Sequence, residues 1–125
     1  MAKGDDISER LIDYAVRIIH VSRALPRDDV GRHVSGQVLR AGTGVGANHE
    51  EARGAESRAD FVHKMRIVQK ELNETSIWLR ILVKIVAEKP ENFVRVLAEN
   101  RELARIVTAS VKTARNRLRD PPDEK

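Results

Sequence analysis

The chain has 125 residues, the length of one ordinary domain, and 23 Lys and Arg against 19 Asp and Glu give it a formal charge of +4. The lack of cysteine excludes disulfides, thiol catalysis and Cys-ligated zinc, and aromatic residues at 3% leave few rings on which nucleic-acid bases could stack. No stretch resembles a membrane span or a signal peptide, so we expect a cytoplasmic protein.

Alternating spacings of four and three between apolar residues predict a first helix that ends at Pro26. Its stripe consists of Ile7, Leu11, Tyr14, Ile18, Val21 and Leu25. Asp6 and Glu9 resemble a capping box at its start, and Asp28 or Asp29 can cap the second helix. The second stripe is thin and contains an amide: Val34, Val38, Ala41, Val45, Asn48 and Ala52.

The third predicted helix opens at Ser57, with Asp60 in the capping-box position, and keeps a heptad rhythm over more than three heptads. Its stripe is Phe61, Met65, Val68, Leu72, Thr75, Leu79, Leu82 and Val86. Pro90 opens the fourth helix, where it occupies the first turn. The fourth stripe is Phe93, Leu97, Asn100, Ala104, Val107, Val111, Ala114 and Leu118.

Short connections between long helices predict an all-α fold, an antiparallel up-down-up-down four-helix bundle over residues 1–119 with a disordered tail at 120–125. The third helix also has a second partly apolar stripe, which consists of Ile67, Glu71, Glu74, Trp78, Ile81 and Ile85. The apolar surface of this helix is therefore wider than packing along one seam of a small bundle requires. The sequence therefore predicts self-association.

No pattern in the sequence indicates catalysis, a metal site or a cofactor. Gly42, Gly44 and Gly46 lack the preceding strand and the further residues of a nucleotide-binding loop, so we expect them to allow a close helix approach. A di-iron bundle needs two Glu-x-x-His pairs, and Asp60-x-x-His63 is the nearest match. We therefore expect a protein that is not an enzyme.

Polar residues occur where the second and third helices are expected to be apolar. A buried amide or carboxylate needs partners, and a single seam Asn can fix helix register. We predict a polar layer in which Asn48 and Glu51 meet Glu74 or Lys70, near Arg40. The complete set is Arg40, Asn48, Glu51, Lys70, Glu71, Glu74 and Trp78. Its role is register or assembly specificity, and a functional pocket is the alternative.

The positive excess lies toward the end of the chain, where the last helix carries a stripe of cations. The stripe is Arg101, Arg105, Lys112, Arg115 and Arg119. A solvated face usually mixes the two signs, whereas this stripe contains no acid. One interpretation is an ordinary surface with cations near a helix C-terminus, and the other is a surface that binds nucleic-acid phosphates.

A set of short motifs resembles a known bacterial family of four-helix bundles. These motifs are Asn48-His-Glu-Glu-Ala52, Ala55-Glu-Ser-Arg-Ala-Asp-Phe61, His63-Lys-Met-Arg-Ile67, Lys70-Glu71, Glu74-Thr75 and Trp78-Leu79. The family was first noticed in proteins encoded by intervening sequences within 23S ribosomal RNA genes. The resemblance runs from about Arg17 to Arg115, and the polar-layer residues match the family's recurring polar and aromatic positions.

The resemblance implies an antiparallel bundle that assembles into a ring, typically a homopentamer, without established enzymatic activity. A similar bundle is the accessory protein of diversity-generating retroelements, where a basic pentameric ring has a proposed role in binding nucleic acid and a reverse transcriptase. We therefore expect a homo-oligomer that binds RNA or DNA, and a nucleic-acid-processing protein is a further expected partner. The alternatives are a protein-interaction adaptor without a nucleic-acid role and, third, a ligand- or metal-binding bundle.

Overall fold

A computed structural model describes residues 5–86 and 90–119, which form four α-helices. The helices are α1 (Asp5–Arg23), α2 (Asp29–Arg53), α3 (Arg58–Ile85) and α4 (Pro90–Arg119). The described residues contain no strand, so the predicted all-α class is confirmed. The predicted tail at 120–125 lies outside the described residues.

Side-chain caps begin α2 and α3 at the predicted residues. The Asp28 carboxylate accepts a hydrogen bond from the Gly31 amide at 2.7 Å, and the Ser57 hydroxyl accepts one from the Asp60 amide at 3.0 Å. Asp60 in turn accepts from the Glu56 amide at 3.2 Å. These bonds satisfy N–H groups that have no partner within the helix. By contrast, α1 begins at Asp5, one residue before the capping position that the sequence indicates.

The four helices pack as a cycle in which α1 contacts α2, α2 contacts α3, α3 contacts α4, and α4 contacts α1. The predicted stripes supply most of the core. Its fully buried large side chains include Leu11, Tyr14, Ile18, Val38, Val45, Val68, Leu72, Leu79 and Val107. Several positions differ from the prediction. Val62, Val96 and Leu103 are buried although they lie outside the predicted stripes. Leu118 is 44% exposed in the last turn of α4, and the buried polar residue in the last third of α2 is His49, whereas Asn48 is half-buried.

Gly42 allows α1 and α2 to approach closely. A Cβ atom at Gly42 would lie 2.7 Å from Cγ2 of Ile18, which is closer than carbon atoms pack. Gly42 and Ile18 are both buried, so this contact lies inside the core. The close-approach interpretation of the glycine run is confirmed at Gly42. The run lies within α2, which spans Asp29–Arg53.

One buried hydrogen-bond network joins three helices. Asn100 on α4 donates from Nδ2 to the Tyr14 hydroxyl on α1 at 2.7 Å and to the Leu72 carbonyl on α3 at 3.1 Å. Tyr14 and Asn100 are at most 1% exposed. Burial raises the pKa of Tyr14 to about 12, while hydrogen bonds with Asn100 and Thr75 oppose the rise. The network therefore holds a neutral phenol inside the bundle.

Polar contacts at the helix edges join particular ends of neighbouring helices. Arg53, in the last turn of α2, pairs with Asp5 in the first turn of α1 at 2.8 Å. At the other end of this pair, the Ser35 hydroxyl donates to the Ser22 carbonyl at 3.2 Å. No helix within the described ranges is long and apolar enough to cross a lipid bilayer.

Candidate functional site

The predicted cation stripe lies on the outer surface of α4. Its five residues, Arg101, Arg105, Lys112, Arg115 and Arg119, are all exposed. With a rise of 1.5 Å per residue, the stripe is about 27 Å long, so several successive phosphates could lie along it. Within the described part of the chain, the guanidinium of Arg105 forms an ion pair with Glu102, one turn earlier on α4. That pair offsets part of the positive charge at the middle of the stripe.

A shallow cleft between α3 and α4 brings part of the stripe together with a residue of α3. Lys112 and Arg115 line this cleft with Arg66, and its volume is about 370 Å³. The floor includes a hydrogen bond at 3.0 Å from Gln69 Nε2 on α3 to the Thr108 hydroxyl on α4. None of the residues that line the cleft is acidic. Three cations and two polar side chains without a countercharge form a site suited to an anion.

Arg66 was not among the predicted site residues, and it has two companions on the same helix. Arg80 and Lys84 follow Arg66 at spacings of fourteen and four residues, so the three lie on one face of α3. All three are exposed. Gln69 is one turn from Arg66 and contacts Thr108, which places this face beside α4. We call the combined surface, Arg66, Arg80, Lys84, Arg101, Arg105, Lys112, Arg115 and Arg119, the α3/α4 basic face.

The sequence contained a signal for the α3 part of this face in the spacing of Arg66, Arg80 and Lys84. However, helical spacing shows only which residues share a face of one helix. It does not show which face lies beside the cations of α4. That relationship depends on the lateral register of the two helices, which the Gln69–Thr108 contact reveals.

The predicted polar layer lies at the outer edge between α2 and α3, with other contacts than expected. Arg40 on α2 forms an ion pair with Glu74 on α3, and its Nη1 lies 3.7 Å from Oε2 of Glu71. That oxygen is buried and accepts no hydrogen bond in the described structure. Arg40 also donates to Gln37 at 3.2 Å. Arg40, which the sequence predicts to lie near the contacts of the layer, is thus their centre.

The other expected members of the layer do not meet across the helices, which corrects the predicted contacts. Asn48 donates to the carbonyl of Gly44 at 2.9 Å, within its own helix. Glu51 and Lys70 are exposed. The physical reason is that His49, and not Asn48, points into the bundle at this turn, which leaves the amide free to bond its own backbone.

Trp78 is half-buried and packs edge-to-face against His33, with 5.9 Å between the ring centroids. Beyond it, α3 presents a ridge of three exposed isoleucines, Ile77, Ile81 and Ile85, which are 51%, 38% and 60% exposed. Their spacing of four residues aligns them along the helix. Ile81 and Ile85 belong to the second apolar stripe predicted for α3, whereas Ile77 lies outside it. We call these three exposed residues the isoleucine ridge.

One interhelical ion pair and one buried histidine have pKa values displaced by their surroundings. Arg10 on α1 binds Glu99 on α4 through two bonds of 2.9 and 2.6 Å, and this guanidinium holds the pKa of Glu99 below its ordinary value. Burial lowers the pKa of His49. Among residues 5–86 and 90–119, no three His, Cys, Asp or Glu side chains come together as metal ligands.

The family model described as 23S rRNA-intervening sequence protein matches residues 5–109, which includes all of α1, α2 and α3 and most of α4. The chain belongs to this family. The match ends before Lys112, Arg115 and Arg119, so the last part of the α3/α4 basic face lies beyond the segment that defines membership.

A solved structure also supports the assignment of this chain to the 23S rRNA-intervening sequence family. The chain is similar to a crystal structure of a protein with unknown function from the S23 ribosomal protein family of Bacteroides thetaiotaomicron VPI-5482. The TM-score is 0.78 and the sequences are 33% identical, over 85% of this chain and 98% of that one. Comparison with curated proteins gives no match.

Proposed function

We propose that this chain is a cytoplasmic, non-enzymatic protein that binds RNA or DNA through phosphate contacts and acts as a homo-oligomer. The observation that carries the proposal is the cleft where Arg66 of α3 meets Lys112 and Arg115 of α4 without an acidic side chain in its lining. Cations from two helices converge there on one groove. Such clustering strengthens phosphate binding because each contact releases condensed counterions.

The proposed binding is tolerant of sequence. Reading of bases requires aromatic platforms or side chains that enter a groove. The α3/α4 basic face contains no aromatic residue, because Tyr14 and Phe93 are buried, Phe61 packs against the core and Trp78 packs against His33. Backbone contact is therefore the interaction that this surface offers. We expect affinity that falls steeply with salt and differs little between sequences.

We further propose that the bundle is antiparallel, in the up-down-up-down order. The pairing of Arg53 with Asp5 joins the end of α2 to the start of α1, and the Ser35–Ser22 bond joins their opposite ends. On the other side, Gln69 in the first half of α3 meets Thr108 in the second half of α4. Short connections between successive helices favour the same arrangement.

The proposed assembly is a ring, with five copies as the expected number. The isoleucine ridge supports self-association because three aligned apolar side chains on one helix gain by burial against another subunit. Assembly would also strengthen the electrostatic attraction. Five chains at +4 give about +20 on one particle, which attracts a polyanion more strongly than one chain does.

Fluorescence anisotropy with labelled RNA and DNA at several salt concentrations tests the proposed binding. We expect the double variant Lys112→Gln, Arg115→Gln to bind more weakly and to reduce the slope of log K against log salt by about 1.4 to 1.8, the loss of two phosphate contacts. The matched control Arg23→Gln, Arg27→Gln removes two exposed cations beside another groove, between α1 and α2. It should retain most of the wild-type affinity.

Equal, weak binding by the wild type and both double variants would contradict the nucleic-acid proposal. In that case the protein-interaction adaptor becomes the better hypothesis, since an exposed isoleucine ridge also suits a protein partner. Binding that is strong but unaffected by Lys112 and Arg115 would place the nucleic-acid site on another surface.

A further inference from the structure

A cavity of about 500 Å³ lies at the end of the bundle where α1 begins and α4 nears its end. All four helices contribute to it, through Ile7 of α1, His49 of α2, Met65 of α3 and Ser110 of α4 among others. Sites for small molecules in proteins have volumes of about 300 to 1,000 Å³. The size of the cavity thus falls in the range of a ligand site.

Most of the wall is apolar. Met65 and Val107 are 2% exposed and belong to the core, and the half-buried rings and chains of Phe61, Ile7 and Ile106 complete the surface. Such a wall favours the hydrocarbon part of a ligand, since the transfer of each methylene from water to an apolar surface is favourable.

His49 supplies a polar group that has no hydrogen-bond partner among the described residues. The residue is 7% exposed, and its Nδ1 is enclosed without a hydrogen bond. Among the described residues, none forms a hydrogen bond with Nε2 either. A neutral imidazole carries one N–H, and an unpaired acceptor inside a protein costs less than an unpaired donor. The favoured tautomer therefore places the proton on Nε2, where it can be donated to an oxygen in the cavity.

The charged residues that line the cavity are both cationic. Arg53 and Arg117 line it, and no residue of the lining is acidic. Arg53 is already bound to Asp5 and Glu50. Arg117 has no ion pair within the part of the chain that the structure describes, and it is exposed. An anion at the cavity would therefore meet one uncommitted guanidinium at the rim, close to the hydroxyls of Ser110 and Thr113.

We propose that this cavity binds a small amphipathic carboxylate, such as a medium-chain fatty acid. The hydrocarbon chain lies against Met65, Phe61 and Val107, and the carboxylate faces Arg117, with the His49 N–H as a further donor. The site is separate from the α3/α4 basic face, because Arg117 lies about 160° around α4 from Arg101 and about 160° from Arg119. Binding of the carboxylate does not depend on whether the protein binds nucleic acid.

Methionine provides a direct probe, because the chain contains only Met1 and Met65. Labelling with ¹³C-methyl methionine places a signal at Met65 that reports on the cavity. We expect octanoate to shift the Met65 signal saturably, with one molecule bound per chain. The absence of a saturable shift at millimolar octanoate would overturn the proposal.

Two pairs of variants locate the site. Ala109→Phe fills the cavity from α4 and should abolish the shift, whereas Ala98→Phe makes the same change at an exposed position of α4 that does not line the cavity. Arg117→Gln should lower the affinity for octanoate about tenfold, which corresponds to the loss of one partly screened charge-assisted hydrogen bond. Arg119→Gln should have little effect.

Octanol has a hydrocarbon chain of the same length but no carboxylate, so it tests whether the charge of the ligand contributes to binding. We expect it to bind more weakly than octanoate to the wild type and about equally to the wild type and Arg117→Gln. Equal binding of octanoate and octanol to all variants would overturn the assignment of a carboxylate ligand. An unchanged Met65 shift in Ala109→Phe would overturn the location.

Discussion

Asn100 and Tyr14 are 86 residues apart in sequence and share a buried hydrogen bond of 2.7 Å. The same amide also bonds the Leu72 carbonyl, so a single side chain connects α4 to both α1 and α3. A polar group in an apolar interior is unfavourable unless it is paired. The bond therefore specifies one relative position of these three helices, because any slip would leave both groups unpaired.

Tyr14→Phe should destabilise the protein by about 1 to 2 kcal/mol, because it leaves one N–H of the buried Asn100 amide without its partner. Urea denaturation at a fixed protein concentration measures the loss. Thr108→Val is the matched control, since it also removes a hydroxyl from an interhelical bond, but on the exposed surface. Its effect should stay within about 0.5 kcal/mol. Equal losses in the two variants would contradict the role of the buried network.

Gly42→Ala should lower the melting temperature, although alanine is normally the better helix former. The added Cβ would meet Ile18 at 2.7 and 2.8 Å, which forces α1 away from α2. Gly36→Ala is the matched control in the same helix, because nothing lies within 4 Å of its added Cβ. That control should gain about 0.5 to 1 kcal/mol from helix propensity. Differential scanning calorimetry measures the melting temperatures of both variants. An increase in both would show that α1 can move away from α2 without loss of stability.

The sequence predicts the helices well because each apolar stripe reflects burial on one side of one helix. Leu11, Leu72 and Val107 all lie on predicted stripes and are buried. The apolar pattern does not show whether Asn48 or His49 is buried. Adjacent residues differ by only 100° around a helix, so either of them fits the edge of a thin stripe. Only the packing of α1, α3 and α4 against that turn distinguishes them.

Contacts between helices could be predicted less well than the helices themselves. The sequence indicated a polar layer, yet the ion pair that forms joins Arg40 to Glu74, and Glu51 is exposed. Long charged side chains reach several positions on a neighbouring helix, so small differences in register decide the pairing. The same limit applies to Arg66, whose position beside Lys112 depends on how α3 and α4 align.

His49 should make the protein less stable as the pH falls from 7.5 to 5.5. Its pKa in the folded protein is below the ordinary value of 6.5, so the unfolded chain binds the proton more readily. The free energy of unfolding therefore falls as the pH drops below 6.5 and stops changing, for this group, below the folded pKa. Thermal melts at the two pH values measure the effect.

His49→Gln should show a smaller drop in melting temperature over this range than the wild type does. His63→Gln, which changes an exposed histidine, should keep the wild-type drop. The carboxylates add little to this comparison, since Glu99 begins to lose its contribution only below its ordinary value of 4.5. A wild-type drop that survives in His49→Gln would assign the pH dependence to another group.

Glu99→Gln should destabilise the protein at pH 7 by about 0.5 to 1 kcal/mol, because it replaces one side of the two-bond pair with Arg10 between α1 and α4. The folded pKa of Glu99 is depressed, so its contribution is complete above 4.5 and disappears as the pH falls through the folded pKa. Urea denaturation at pH 7 and pH 2.5 measures the free energy of unfolding of both proteins. The difference between variant and wild type should be smaller at pH 2.5 than at pH 7. Glu102→Gln, in an exposed pair with Arg105, should change little at either pH.

Ile77→Lys with Ile81→Lys should reduce the molar mass of the assembly measured by light scattering at micromolar concentration. Two charges on the isoleucine ridge would have to be buried if this surface joins subunits, which opposes association. Val94→Lys places a charge on an equally exposed apolar residue of α4, which is 48% exposed, and should leave the mass unchanged. A wild type that is already monomeric would contradict the proposed oligomer, and an unchanged mass in the double variant would exclude the ridge as its interface.

The outward surface of α3 changes across its width, with Glu74, Ile81 and Ile85 toward one side, Arg66, Arg80 and Lys84 toward the other, and Ile77 between them. No hydrogen bond or ion pair joins the charged set to the apolar set in the described structure. The charge of this helix surface can therefore change between related chains while the exposed isoleucines stay the same. Engineered chains could combine the ridge with a new charged side in a single exchange of α3 surface residues.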